Sequence, residues 1–168
     1  VYGLYADSYL KCQTVYPAAQ LQNIAGSQIT GLTYYTSDPA DAAWTGANFK
    51  VYLMEVGYTS ISAFEDVETN ATLVYEGSLD GTSSTMSVNF STPYSYNGGN
   101  LLVAVYNTVI GTYKGCSFYG SEVENASVQG YSYSSLSAVS PSSMNFIPKT
   151  TFCATPVSCR PVTNLKVD

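Results

Sequence analysis

Apolar and polar residues alternate at Met86, Val88 and Phe90, the pattern of a strand with one covered and one open face. From Leu101 to Tyr106 the apolar run is unbroken, as in a strand covered on both faces. Between them Asn97, Gly98 and Gly99 tolerate positive φ and predict a chain reversal. Further strand signals, separated by Gly, Asn, Ser and Pro, fall at Gln28 to Thr36, Asn48 to Val56, Thr72 to Gly77, Thr85 to Phe90, Asn100 to Asn107, Cys116 to Gly120, Val128 to Tyr133 and Met144 to Phe152, with an extended piece in Val1 to Ala6. So many short strands must form two packed sheets to bury their apolar faces. The expectation is therefore an all-β, jelly-roll-like sandwich of two antiparallel sheets, with Val51, Leu53, Val74, Val88, Leu102, Val103, Val105 and Phe118 in its core. Helical patterning is confined to Pro17 to Ile24 and Ser60 to Glu68.

A chain of 168 residues fits one domain that buries roughly 70% of the surface its unfolded form exposes. Residues 1–155 read as the sandwich. From Pro156 onward the string PVSCRPVTNLKVD has the turn residues of a linker and then, at Leu165 and Val167, the start of a fresh strand belonging to a following domain. Charged residues make up only 11%, and sixteen tyrosines accompany abundant Ser, Thr, Asn and Gly. With a net charge of -6 and six scattered basic residues, the surface offers no footprint for nucleic acid. No apolar run approaches the ~20 residues of a membrane-spanning helix, so direct membrane insertion is not expected. The chain opens on Val1 with no leader before it, which reads as a mature or trimmed form.

Four cysteines allow three full pairings. Cys153 and Cys159 flank a proline turn and are expected to be joined, closing a short loop worth roughly 2 kcal/mol in the chain-entropy model. Cys12 and Cys116 either pair, closing a much longer loop worth about 5 kcal/mol, or stay as free thiols in apolar positions. Their spacing does not suit zinc.

The absence of His removes Ser-His-Asp and Cys-His catalysis. Carboxylates at Glu55, Glu76, Glu122 and Glu124 could form a glycosidase pair, but isolated strand carboxylates usually face solvent. The loop SDPADAAWTG, Ser37 to Gly46, sets Asp38 and Asp41 beside the only Trp; Ca2+ could bind there, although the spacing of a dedicated calcium loop is missing. Glu65, Asp66 and Glu68 form a second acidic cluster suited to the start of a helix turn, with Glu68 placed late for it. Aromatic loops are the better lead. Trp44 with Asp38 and Asp41, and Tyr94 and Tyr96 with Asn97 and Asn100, combine flat apolar faces with hydrogen-bonding groups that suit a sugar, though tyrosines also fill sandwich cores. Tyr34, Tyr35, Tyr52, Tyr106, Tyr131 and Tyr133 lie within strands and are expected to be structural. The N-glycosylation patterns at Asn70, Asn89 and Asn125 carry no role without host machinery.

Three segments, TVYPAAQLQNIAGSQITGLTYYT, NFKVYLMEVGYTSISAF and TLVYEGS followed by FSTPYSYNGGNLLVAVYN, together resemble the cleaved-adhesin type of module. That family occurs in adhesin and haemagglutinin regions of Bacteroidetes surface proteins such as the gingipains. The tail PVTNLKVD is similar to the first strand of a fibronectin type III domain. The resemblance implies a jelly-roll fold, a secreted or outer-membrane-associated setting, neighbouring domains in one chain, and attachment to a host surface protein or glycan. It brings no catalytic motif, so the expectation is a non-enzymatic binding module. The competing expectations are a carbohydrate-active enzyme or its accessory carbohydrate-binding domain, and a structural spacer or pilus-like subunit.

Overall fold

The computed structural model describes residues 3–156. Thirteen strands and one short helix follow in order: β1 Gly3–Tyr5, β2 Tyr9–Tyr16, β3 Ser27–Asp38, β4 Asn48–Val56, α1 Val67–Asn70, β5 Thr72–Gly77, β6 Thr85–Ser95, β7 Asn100–Val109, β8 Gly115–Phe118, β9 Gly120–Ser121, β10 Ser127–Ser132, β11 Ser142–Met144, β12 Ile147–Pro148 and β13 Thr150–Pro156. One sheet has six strands in the order β11-β10-β2-β7-β4-β5. The other runs β1-β8-β3-β13, with β6 on β3, and β9 and β12 form a small ribbon. Every pairing is antiparallel. The chain is thus an all-β, jelly-roll-like sandwich.

Alternation along the strands sorts side chains onto two faces. From β7, Leu101, Val103 and Val105 enter the space between the sheets, where they join Val51 and Leu53 of β4, Ile29 and Leu32 of β3, and Met86 and Val88 of β6. Leu102, Ala104 and Tyr106 take the opposite face, under Ile61 and Val67 of the β4–β5 connection. The unbroken run in β7 is therefore covered twice, once by a sheet and once by a long loop. Each fully buried leucine or valine here contributes about 1.5–3 kcal/mol. All eight residues expected in the core are buried.

The chief element that the pattern did not reveal is β2, which lies at the centre of the larger sheet between β10 and β7. Its polar residues Lys11 and Gln13 disguise it. Gln13 is buried, yet its Nε2 donates to the Tyr106 hydroxyl at 2.6 Å and to the Glu65 carbonyl at 2.9 Å, while its Oε1 accepts from the Glu65 N–H at 2.9 Å. Lys11 lays its ammonium over the Tyr106 ring, 5.2 Å from the centre. Both helical expectations shrink. Pro17 to Ile24 forms two successive 3-10 turns, and in Ser60 to Glu68 only the last turn becomes α-helical. Asp66 caps that helix by accepting from the Thr69 N–H at 3.2 Å, and Glu68 falls inside its first turn instead of late in it.

Of the two alternatives left open for Cys12 and Cys116, the structure takes the second: they are not joined, and both are free thiols on the apolar inner face. Burial pushes each thiol up to about 12, so both stay protonated and inert at neutral pH. Cys153 is exposed and unbonded, and Cys159, its expected partner, lies outside the described residues. So does the expected linker, apart from Pro156, which closes β13 opposite Ser27.

Candidate functional site

The two aromatic loops singled out by sequence stand at opposite ends of β4. Trp44 precedes its first residue, whereas Gly99 and Asn97 contact Glu55 near its last. The ends of this nine-residue strand, eight steps apart, lie about 26 Å from each other. Neither loop presents an open central ring. Trp44 is only 4% exposed and packs on Phe49, with ring centres 5.3 Å apart. Its indole also fills the space beside Gly81, where an added Cβ would fall 2.5 Å from the ring. Tyr96 is 1% exposed and donates its hydroxyl to the Gly99 carbonyl at 2.6 Å. Tyr94 is half-buried against the core.

The polar groups of those loops are engaged as well. The Glu55 carboxylate accepts from the Gly99 N–H at 2.6 Å, from the Asn97 N–H at 3.1 Å and from Asn97 Nδ2 at 2.8 Å, clasping a turn in which Gly98 takes φ +110°. Burial alone would raise this carboxyl, but those hydrogen bonds outweigh it and hold it below its usual range. Asn100 accepts from the Ala18 N–H at 2.9 Å. Asp41 forms an ion pair with Lys114 at 2.6 Å, whose hydrogen bond lowers the Asp41 carboxyl, while Asp38 is exposed at the end of β3. Among the described residues no group of three or more Asp, Glu or Cys side chains gathers where a metal ion could be held, Asp38 and Asp41 included. Of the four candidate catalytic carboxylates, Glu55 is bound to the turn, Glu76 meets Lys50 at 3.7 Å, and Glu122 and Glu124 stand exposed on the connection from β9 to β10.

Open aromatic surface is found elsewhere. Where the two sheets part, beside the loop that carries Asp41 and Trp44, a groove of about 210 Å3 is lined by Tyr5, Asp7, Ser8, Tyr113, Tyr131 and Tyr133. Tyr113, Tyr131 and Tyr133 are 76%, 58% and 68% exposed, which corrects the expectation that Tyr131 and Tyr133 are structural. The reason lies in register. Tyr131 is opposite the buried Leu10 and shares its inward face, but it sits at the strand end, beyond the layer that covers Leu10. Period alone assigns such a residue to the core. Tyr5 reaches it from the other sheet, with ring centres 6.4 Å apart and planes at 54°, and Tyr133 meets it edge-on at 5.7 Å and 74°.

The walls of the groove are held by backbone bonds. Asn107, fully buried in β7, donates through Nδ2 to the carbonyls of Ala6 at 2.9 Å and Ser8 at 2.8 Å, fixing the bend that presents Asp7. Gly111 donates to the Ala6 carbonyl at 2.7 Å, and Thr112 and Thr45 bond reciprocally, which anchors the loop bearing Tyr113. Only glycine suits position 111, since a Cβ there would lie 2.5 Å from the Ala47 nitrogen. The Asp7 charge, chiefly, raises the Tyr133 hydroxyl, and burial, chiefly, raises that of Tyr5. Both remain neutral donors at physiological pH. Rings of this kind with one carboxylate can grip a ligand, and the groove contains no second carboxylate to share proton transfer.

Among the described residues no helix is long and apolar enough to cross a membrane. Comparison with family models, with curated proteins and with solved structures finds no match to this chain.

Proposed function

We propose that this chain is a non-catalytic adhesion module of a secreted or surface-exposed multidomain protein, engaging a host protein or glycan through the tyrosine groove between β1, β10 and the β7–β8 loop. The observation that supports this reading is the contrast among its aromatics. Trp44, Tyr96, Tyr34, Tyr52 and Tyr106 are consumed by packing, whereas Tyr113, Tyr131 and Tyr133 gather with half-buried Tyr5 around one opening. Exposed aromatic rings on a scaffold that holds them still are the usual anchors of recognition. The resemblance to cleaved-adhesin modules favours attachment and export in the same direction.

The test is an array of glycans and matrix proteins probed with the isolated domain and with a Tyr131→Ala/Tyr133→Ala double variant. Specific binding by the wild type should fall at least tenfold in the variant, matching about 1–3 kcal/mol for the loss of central contact rings. An array with no wild-type binding, or hits that the double variant retains in full, would reject this reading.

A further inference from the structure

The groove differs from a sugar platform in its geometry and in its charge. A pyranose stacks on a broad flat face and needs several convergent hydrogen-bonding groups. Here the rings stand at steep angles to one another, 54° between Tyr5 and Tyr131 and 74° between Tyr131 and Tyr133, so they wall a space instead of paving a floor. The groove lining includes no amide side chain, and Ser8 is itself buried. What the walls do share is negative potential. Ring faces are electron-rich, and a cation inside several of them is attracted by each.

Asp7 adds a full charge to that environment. It is half-buried, and the ion pairs among the described residues, Lys50 with Glu76 and Lys114 with Asp41, leave it without a cation. Lys114 places its Nζ 6.0 Å from the Tyr113 ring centre, but it is committed to Asp41 at 2.6 Å. A partly desolvated carboxylate beside aromatic walls, in a chain of net charge -6, is electrostatically complementary to a single positive group.

Resting on the reading of this groove as a binding site, we infer that it takes an alkylammonium cation, presented as a lysine side chain by a protein partner: the four-carbon stem lies against Tyr131 and Tyr133 and the ammonium meets Asp7. A choline headgroup has the same cationic chemistry, but it brings a phosphate within a few ångströms of the ammonium. Asp7 and the net charge of the chain would repel that phosphate, whereas a lysine carries no such anion. Exposed Val109 and Ile110, on the strand end that leads to Tyr113, supply apolar area for the partner's backbone around the lysine.

The test compares Nα-acetyl-lysine methylamide with its uncharged analogue Nα-acetyl-norleucine methylamide, by perturbation of tyrosine ring signals in NMR titrations. The lysine probe should bind at least tenfold more tightly, as about 1.4 kcal/mol or more of charge recognition requires. Asp7→Asn and Tyr131→Ala should each weaken it fivefold or more, Tyr131→Phe should not, and Tyr133→Ala repeats the test at a site whose ring is more exposed. Equal affinity for norleucine, or lysine binding indifferent to Asp7→Asn and to both alanine variants, would overturn the inference. Co-flotation with phosphatidylcholine vesicles that is lost in Tyr131→Ala would overturn it in favour of a lipid. Array hits abolished by the double variant without any lysine preference would remove this inference and leave the adhesion reading standing. Lysine binding with a blank array would do the reverse.

Discussion

Glu55 illustrates how one side chain can account for a turn. Three N–H groups point at its carboxylate, two from the backbone of Asn97 and Gly99 and one from the Asn97 amide. Because they favour the charged form more than burial disfavours it, the folded carboxyl sits below its ordinary value of 4.5. A lowered folded pKa contributes stability that is present above the unfolded value and is lost as pH falls through the folded one. Glu55→Gln should therefore cost about 1–2 kcal/mol at pH 7, the partial exposure of the group keeping it at the lower end for charged hydrogen bonds. Melting curves of the two proteins should converge as the pH drops below the ordinary glutamate value and through the lowered folded one, and a gap that persists unchanged into strong acid would contradict the account. The same residue explains why Tyr96 and Asn97, expected at a ligand site, are engaged within their own turn. Residue types suited to a ligand were legible in SYNGGN, but a carboxylate 42 residues away takes their donors. Trp44, expected on an open loop, is buried for a related cause: a loop in sequence can fold its largest ring inward, and no local pattern records that Phe49 and Gly81 receive it.

At the scale of elements, strands with a clean period were legible to within a few residues, and β4 and β5 fall on their expected bounds. The failures share one form, a buried polar group satisfied from far away. In β2, Gln13 looks like a break in an apolar face, yet it pins residues 57–71 across the sheet through Glu65 and Tyr106. That loop then covers Leu102, Ala104 and Tyr106. Gln13→Ala would leave the Glu65 N–H and carbonyl and the Tyr106 hydroxyl without this partner, at a cost of about 2–3 kcal/mol. The loss should be local first. Hydrogen exchange at Glu65 and through α1 should accelerate well beyond the change in global stability, while amides of β7 follow the global value. Uniform acceleration across both would show that the loop does not open on its own. Strand splitting near the C-terminal end, where one expected strand became β11, β12 and β13, likewise reflects partners: β10, β9 and β3 each take one piece.

For the whole molecule, packing and recognition occupy different tyrosines and different layers of the sandwich. The inter-sheet core runs from Leu4 and Phe118 through Tyr34 to Trp44 and Phe49, and its residues are closed off by both sheets. The groove begins where that layer ends: Tyr131 meets the rings of Tyr5 and Tyr133, and Tyr5 packs against the core behind them. Removing a ring from the core leaves a cavity that close-packed neighbours refill only in part, whereas removing one from the rim leaves solvent. Trp44→Ala should accordingly destabilise the domain by about 3–5 kcal/mol, and Tyr133→Ala by no more than about 0.5 kcal/mol. Urea denaturation midpoints measured at one pH give both values. Ligand titration of the same two proteins then separates the roles: Tyr133→Ala should lose affinity at nearly full stability, and Trp44→Ala, at temperatures where it remains folded, should bind close to normally. If Tyr133→Ala unfolds as readily as Trp44→Ala, the groove rings belong to the core and recognition must be sought on another face.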